Sequence, residues 1–172
     1  MANVIIGING VVLFILLAIA GAIFLGPQFT AANNNGKAAA LVQSATQIAS
    51  AVNLTNTQNG TTYVGNTAVS QLVTDGGLKV VPGNSIVAAN AFLRINASTP
   101  SSTTLAADTV TADIGAAGQP VCDQIEKQSG GTVALTVADV SALPRVNGCV
   151  KLSAVVAPVN GASGEYVVYA KI

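Results

Sequence analysis

The sequence predicts an α+β fold, with a long N-terminal α-helix whose apolar half protrudes from a head that contains an antiparallel β-sheet. Three patterns lead to this prediction: an uncharged apolar start, an amphipathic helical stripe after it, and short strand patterns separated by turn residues. The 172 residues are enough for one compact domain and one additional element. We therefore expect a helical stalk at 1–54 and a globular head at 55–172.

The composition is poor in charge. Only 8% of the residues are charged, whereas soluble domains carry about a quarter. Seven basic and seven acidic residues cancel, which removes the basic surface that nucleic-acid binding requires. Histidine is absent, so the commonest general base and metal ligand is missing. We expect neither an enzyme nor a nucleic-acid binder, and we expect no cofactor and no metal site.

The start of the chain is long enough to cross a bilayer. The first charged residue is Lys37, and from Val4 to Leu25 the one polar side chain is Asn9. A helix of about 20 apolar residues spans the hydrocarbon core. No basic residue precedes the segment, although signal peptides and anchors normally carry one. We therefore expect that a leader has been removed and that Met1 begins the processed chain; the alternative is an initiator Met on a weakly oriented anchor.

An amphipathic helix follows the apolar segment. The dipeptide Gly26-Pro27 and the run Asn33-Asn34-Asn35-Gly36 are predicted to interrupt or kink the helix. Beyond them, apolar side chains recur every three or four residues, at Ala38, Leu41, Ala45, Ile48 and Val52. We expect 1–30 to lie in lipid or in protein, and 31–54 to pack on the head.

The remaining chain shows the turn and strand patterns of a small α+β head. We expect a loop at 53–66 and short helices at 68–73 and 121–128. The charged residues of the second helix, Asp123, Glu126 and Lys127, are expected to face solvent. Strands are predicted at 86–95, 105–114, 132–137, 149–157 and 166–172, and the last two are expected to form an antiparallel hairpin.

Two cysteines, Cys122 and Cys149, complete the list of chemically distinctive residues. Two thiols without histidine cannot supply the four ligands of a structural zinc site. A disulfide is the favoured interpretation and implies an oxidising compartment, such as the periplasm or the cell exterior. The alternative is a pair of buried free thiols.

Taken together, these features resemble a type IV pilin. They are the charge-free apolar start, the amphipathic continuation, the Asn/Thr-rich loop, the small sheet and the cysteine pair. Met1 and the short helix around Cys122 resemble the type IVb branch, which includes toxin-coregulated and conjugative thin pili. The resemblance implies a homo-oligomeric filament, a prepilin peptidase that removes the leader, an N-methylated Met1, and an assembly platform in the inner membrane.

One position departs from the family pattern. Pilins usually carry a glutamate at the position that Ile5 occupies here, where it is thought to pair with the N-terminal amine of a neighbouring subunit. Asn3 and Asn9 are the nearest polar substitutes, and their amide oxygens can accept hydrogen bonds from an amine; simple interfacial polarity and a helix–helix hydrogen bond are the alternatives. The residues predicted to serve filament-core assembly are Asn3, Ile5, Asn9, Phe14, Gly21, Phe24, Gly26 and Pro27.

The predicted function is that of a major pilin whose extracellular filament serves attachment, conjugation or motility. The unassembled subunit is expected in the bacterial inner membrane, and the assembled one on the cell surface. The missing acid leaves open a minor pilin or a pseudopilin of type II secretion. A membrane-tethered periplasmic binding domain is a further alternative, but a simple tether does not need the second, amphipathic stripe.

Overall fold

The computed structural model describes residues 2–59, 67–89, 91–95, 109–132, 135–137, 145–153 and 163–172. The chain divides into two compact units, Met1–Asn34 and Asn35–Ile172, which we call the first and second units. The first unit is helical throughout its described part. The second unit contains the rest of that helix and a mixed helix and sheet domain.

The first helix, α1, runs without interruption from Ala2 to Asn59, a length of 58 residues. The breaks predicted at Gly26-Pro27 and at 33–36 are therefore absent, although Pro27 lies inside the helix and cannot donate a backbone hydrogen bond. The Thr30 hydroxyl donates to the Gly26 carbonyl oxygen at 3.2 Å and adds one local contact in this turn. Residues 53–59, predicted as loop, extend the helix, while 60–66 lie outside the described residues.

The predicted amphipathic stripe is confirmed in the second unit. Its five side chains are fully buried in the main hydrophobic core, together with strand residues such as Val110 and Val168. Gln43, Gln47 and Ser50, which fall off the stripe, are exposed. This half of α1 supplies one wall of the core, so the second unit cannot bury its sheet without it.

Within the described residues, the sheet has six strands in the order β1-β2-β3-β6-β5-β4. The elements after α1 are β1 (Thr67–Ala68), α2 (Val69–Thr74), β2 (Leu93–Ile95), β3 (Thr109–Gly115), a 3₁₀ turn (Ala116–Gly118), α3 (Gln119–Gln128), β4 (Leu135–Val137), β5 (Asn147–Leu152) and β6 (Tyr166–Lys171). The predicted α+β fold class, with a long apolar N-terminal helix and an antiparallel sheet, is thereby confirmed. The predicted helices at 68–73 and 121–128 correspond to α2 and α3.

Strand pairing departs from the prediction at one edge of the sheet. The predicted hairpin is present, because β5 and β6 pair antiparallel with Cys149 opposite Val168. Strand β4, however, pairs parallel with β5, with Leu135 opposite Val150. The predicted strand ends at 105–108, 133–134 and 154–157 lie outside the described residues.

The strand predicted at 86–95 is much shorter, and β2 covers only its last three residues. The side chain of Asn84 accounts for the first two residues of the difference. Its Oδ1 accepts hydrogen bonds from the N–H groups of Ile86 at 3.0 Å and Val87 at 3.2 Å, while its Nδ2 donates to the Asp113 carbonyl oxygen at 2.8 Å. Local side-chain bonds of this kind take backbone groups away from a strand ladder.

We expect that Gly77→Ala destabilises the second unit by about 1–3 kcal/mol, because the new methyl group overpacks a tight contact. A Cβ at Gly77 would collide with the Thr55 hydroxyl, which donates to the Ala51 carbonyl oxygen, and would lie 3.3 Å from that same oxygen. Urea denaturation followed by circular dichroism measures the effect. Gly83→Ala is the matched control, since a Cβ there meets no atom within 4 Å; equal stability of the two variants would contradict the prediction.

Candidate functional site

The candidate site is a helical surface rather than a pocket. From residue 7 to residue 25 nearly every side chain of α1 is exposed, and apart from Asn9 the exposed side chains are apolar on all sides of the helix. Phe14 and Phe24 are 74% and 73% exposed. A helix that is apolar all round is typical of a membrane span or of the core of a larger assembly. Exposing this apolar surface to water is unfavourable.

The structure places the predicted assembly residues along this one helix and does not gather them into a cluster. Asn9, Phe14, Phe24, Gly26 and Pro27 are exposed, and Gly21 is half-buried. Asn3 and Ile5 are helical, but their side chains lie outside the described part of the chain, as does Met1. A Cβ at Gly7, Gly10 or Gly21 meets nothing within 4 Å, so these positions leave open space at the helix surface.

The length and composition of α1 allow it to cross a bilayer. Among the described residues it is the one helix that is long and apolar enough to do so. The run from Val4 to Leu25 covers about 33 Å at 1.5 Å per residue, close to the thickness of the hydrocarbon core of a typical bilayer. Residues 26–36 would then lie beyond the hydrocarbon, before the first charge at Lys37.

A disulfide joins Cys122 on α3 to Cys149 on β5, with the two Cα atoms 5.3 Å apart. This linkage confirms the favoured interpretation of the cysteine pair. Both residues are fully buried. Closing a loop of this size is worth about 3.5 kcal/mol in the chain-entropy model. The bond fixes α3 on the sheet.

Glu126 was expected to face solvent, but it is only 2% exposed. One carboxylate oxygen, Oε2, pairs with the Arg145 guanidinium, and the other, Oε1, accepts a hydrogen bond from the Cys149 N–H at 2.8 Å. Sequence reasoning missed this group because charged residues on a short helix are usually solvated. The available signal was its spacing, since Glu126 follows Cys122 by four residues and shares its helix face.

The same cluster includes the side chain of Tyr169 on β6. Burial raises the pKa of its phenol, the nearby Glu126 carboxylate raises it further, and the Arg145 charge acts in the opposite direction. The phenol therefore stays neutral around physiological pH.

In the described part of the chain no three His, Cys, Asp or Glu residues are placed to hold a metal ion.

Asp113 on β3 is a second buried carboxyl, and we expect it to make stability fall as the pH rises. Burial raises its pKa above the ordinary value of 3.8, and Glu165 adds to the increase, although the Gly115 N–H donates to its Oδ1 at 2.8 Å. The fold therefore favours the protonated form, which is lost as the pH passes upward through the folded-state pKa.

Asp113→Asn keeps an acceptor for the Gly115 N–H and removes this charge. We expect the variant to melt at a higher temperature than the unmodified chain at pH 7, with the difference disappearing below pH 3.8. Thermal unfolding of both chains between pH 7 and below pH 3.8 measures this difference in melting temperature. A constant difference at every pH would show that Asp113 does not titrate with folding.

Comparisons with known proteins add no relative: no protein-family model matches the chain, and neither a curated protein nor a solved structure matches it.

Proposed function

We propose that this chain is a structural subunit, a major pilin, that polymerises through α1 into an extracellular type IV pilus filament for attachment, conjugation or motility. The observation that carries the proposal is the uncharged, apolar and exposed helix half that continues directly into a buried stripe. A membrane tether needs only the exposed apolar half of the helix and not the buried stripe. A filament subunit needs both, because its helix must hold the head while it packs against other subunits.

Assembly exchanges one apolar environment for another. Before assembly, lipid in the inner membrane surrounds the exposed half of α1; in the filament, the helices of other copies surround it. Because lipid tails are as apolar as these side chains, the gain comes from close packing and helix–helix hydrogen bonds. The open space at Gly7, Gly10 and Gly21 favours close approach of a neighbouring helix. Met1 is proposed as the methylated N-terminus left by a prepilin peptidase.

The subunit contact at the N-terminus differs from that of the usual pilin. Ile5 cannot pair with a neighbouring amine, and no acidic residue precedes Asp75. Loss of a buried ion pair need not weaken a core, because the desolvation cost of the carboxylate is also lost. This same departure favours the second candidate, a minor pilin or a type II secretion pseudopilin, which forms short assemblies.

Electron microscopy of surface-sheared material tests the proposal. We expect long filaments built from this chain, with intact-mass analysis showing one added methyl group on a chain that begins at Met1. Short stubs or a minority share in a filament of another protein would favour the minor pilin or pseudopilin. Monomers held in the membrane under every extraction condition would overturn both and leave the tethered domain.

A further inference from the structure

Burying the carboxylate of Glu126 costs free energy. An ion pair and a hydrogen bond offset this cost. A buried carboxylate is tolerated only when it is paired and hydrogen-bonded. The Arg145 guanidinium, whose side chain is 29% exposed, supplies the charge. The Cys149 N–H supplies the second contact, so the pair reaches directly to one half of the disulfide.

Two glycines, Gly131 and Gly148, lie beside this carboxylate. A Cβ at Gly148 would lie 2.6 Å from Glu126 Oε1 and 2.8 Å from the Tyr169 hydroxyl oxygen. A Cβ at Gly131 would lie 2.8 Å from Glu126 Oε2 and 2.6 Å from an Arg145 nitrogen. The Gly131 N–H also donates to the Glu126 carbonyl oxygen at 2.7 Å. Two glycines therefore make room for the ion pair beside Cys149.

The position of Cys149 in the sheet explains why its N–H needs this acceptor. The residue lies opposite Val168 of β6, and the parallel neighbour β4 begins its pairing one residue later, at Val150. Glu126 therefore provides, from α3, an acceptor at the point just before β4 begins. It holds the backbone of β5 against α3 by a contact that does not involve sulfur.

Cys122 and Glu126 are separated by one helical turn on the same face of α3. Both bind Cys149, the first through its sulfur and the second through the backbone N–H. We propose that the Glu126–Arg145 pair is a positioning device that holds Cys149 opposite Cys122 before the disulfide forms, and thereby promotes its formation. The proposal does not depend on filament assembly.

The reaction that this device assists is thiol–disulfide exchange with a small oxidant. One cysteine thiolate attacks oxidised glutathione and releases one glutathione thiol, and the second cysteine then displaces the other. Two protein thiols lose two electrons and two protons, and one glutathione disulfide becomes two glutathione thiols. The effective concentration of one cysteine near the other decides how far the second step proceeds.

The test measures that effective concentration in the full chain, held in detergent micelles and equilibrated with glutathione redox buffers. Alkylation and intact-mass analysis give the oxidised fraction. We expect Glu126→Ala to lower the effective concentration about tenfold to a hundredfold, the range for losing a hydrogen bond to a charged acceptor. Glu126→Gln retains an oxygen acceptor for the Cys149 N–H. Its effective concentration should lie between that of Glu126→Ala and that of the unmodified chain. Lys127→Ala, an exposed neighbour on α3, is the matched control.

A second measurement covers the case in which Glu126→Ala fails to fold. In the chain with both Cys122→Ser and Cys149→Ser, the amide at position 149 should still be protected from hydrogen exchange, because its acceptor is Glu126. Rapid exchange of that amide in an otherwise folded chain would overturn the proposal. So would a folded Glu126→Ala chain whose effective concentration equals that of Lys127→Ala.

Discussion

Ile15→Lys is expected to abolish filament assembly. Ile15 lies near the middle of the apolar run and is exposed on α1, where the proposed filament core would cover it. Lysine there would leave a charge without a partner in a charge-free core. A cost of about 3 kcal/mol per subunit raises the critical concentration for assembly about a hundredfold. Sedimentation and electron microscopy of assembled material measure the loss.

Two variants control this experiment. Ile15→Leu preserves an apolar side chain of similar volume and should assemble as the unmodified chain does. Gln47→Lys adds the same charge to an exposed position of the same helix, within the second unit, and tests whether charge alone is harmful. Normal filament yield from Ile15→Lys would contradict the placement of this helix half in the filament core.

Leu41→Ala is expected to lower the free energy of unfolding of the second unit by about 2–5 kcal/mol. Leu41 is fully buried between α1 and the sheet, and its removal costs both transfer free energy and a cavity. Urea denaturation of the full chain in micelles, followed by circular dichroism, gives the change in midpoint. Total stabilities of single domains are only about 5–15 kcal/mol, so the loss is a large fraction.

Gln43→Ala is the matched control for Leu41→Ala. It lies two residues away on the same helix and is exposed. A change within about 0.5 kcal/mol is expected. If the two variants have equal midpoints, the stripe is not the surface that completes the core.

The periodicity of apolar residues predicted α1 better than the helix-breaking residues did. Buried contacts made by Ala38, Leu41 and Ile48 outweigh the weak helix propensity of 33–36, because packing contributes more to a helix in a folded domain than propensity does. Pro27 is different, since it lies in the exposed half of α1. Burial therefore does not explain the helix at this position, where the hydrogen bond from the Thr30 hydroxyl to the Gly26 carbonyl oxygen is a local contact.

The edge of the sheet and the Glu126 cluster were not predictable in the same way. Strand β4 has only three residues. No periodic pattern in the sequence indicates that it pairs parallel with β5. The cysteine pair was predictable because few other arrangements suit two thiols without histidine. Its neighbour Glu126 was not, because the decisive partner, Arg145, lies 19 residues away in sequence.

The continuity of α1 has a mechanical consequence. A pull on the N-terminal turns acts on the backbone hydrogen bonds of a single helix, Ala2–Asn59. Pro27, in the interior of this helix, donates no backbone hydrogen bond, so the carbonyl of Ile23 lacks its usual helical partner. That turn should yield first under load, lengthening from about 1.5 Å toward about 3.3 Å per residue. Extension there would relieve tension before the disulfide-bonded domain is strained.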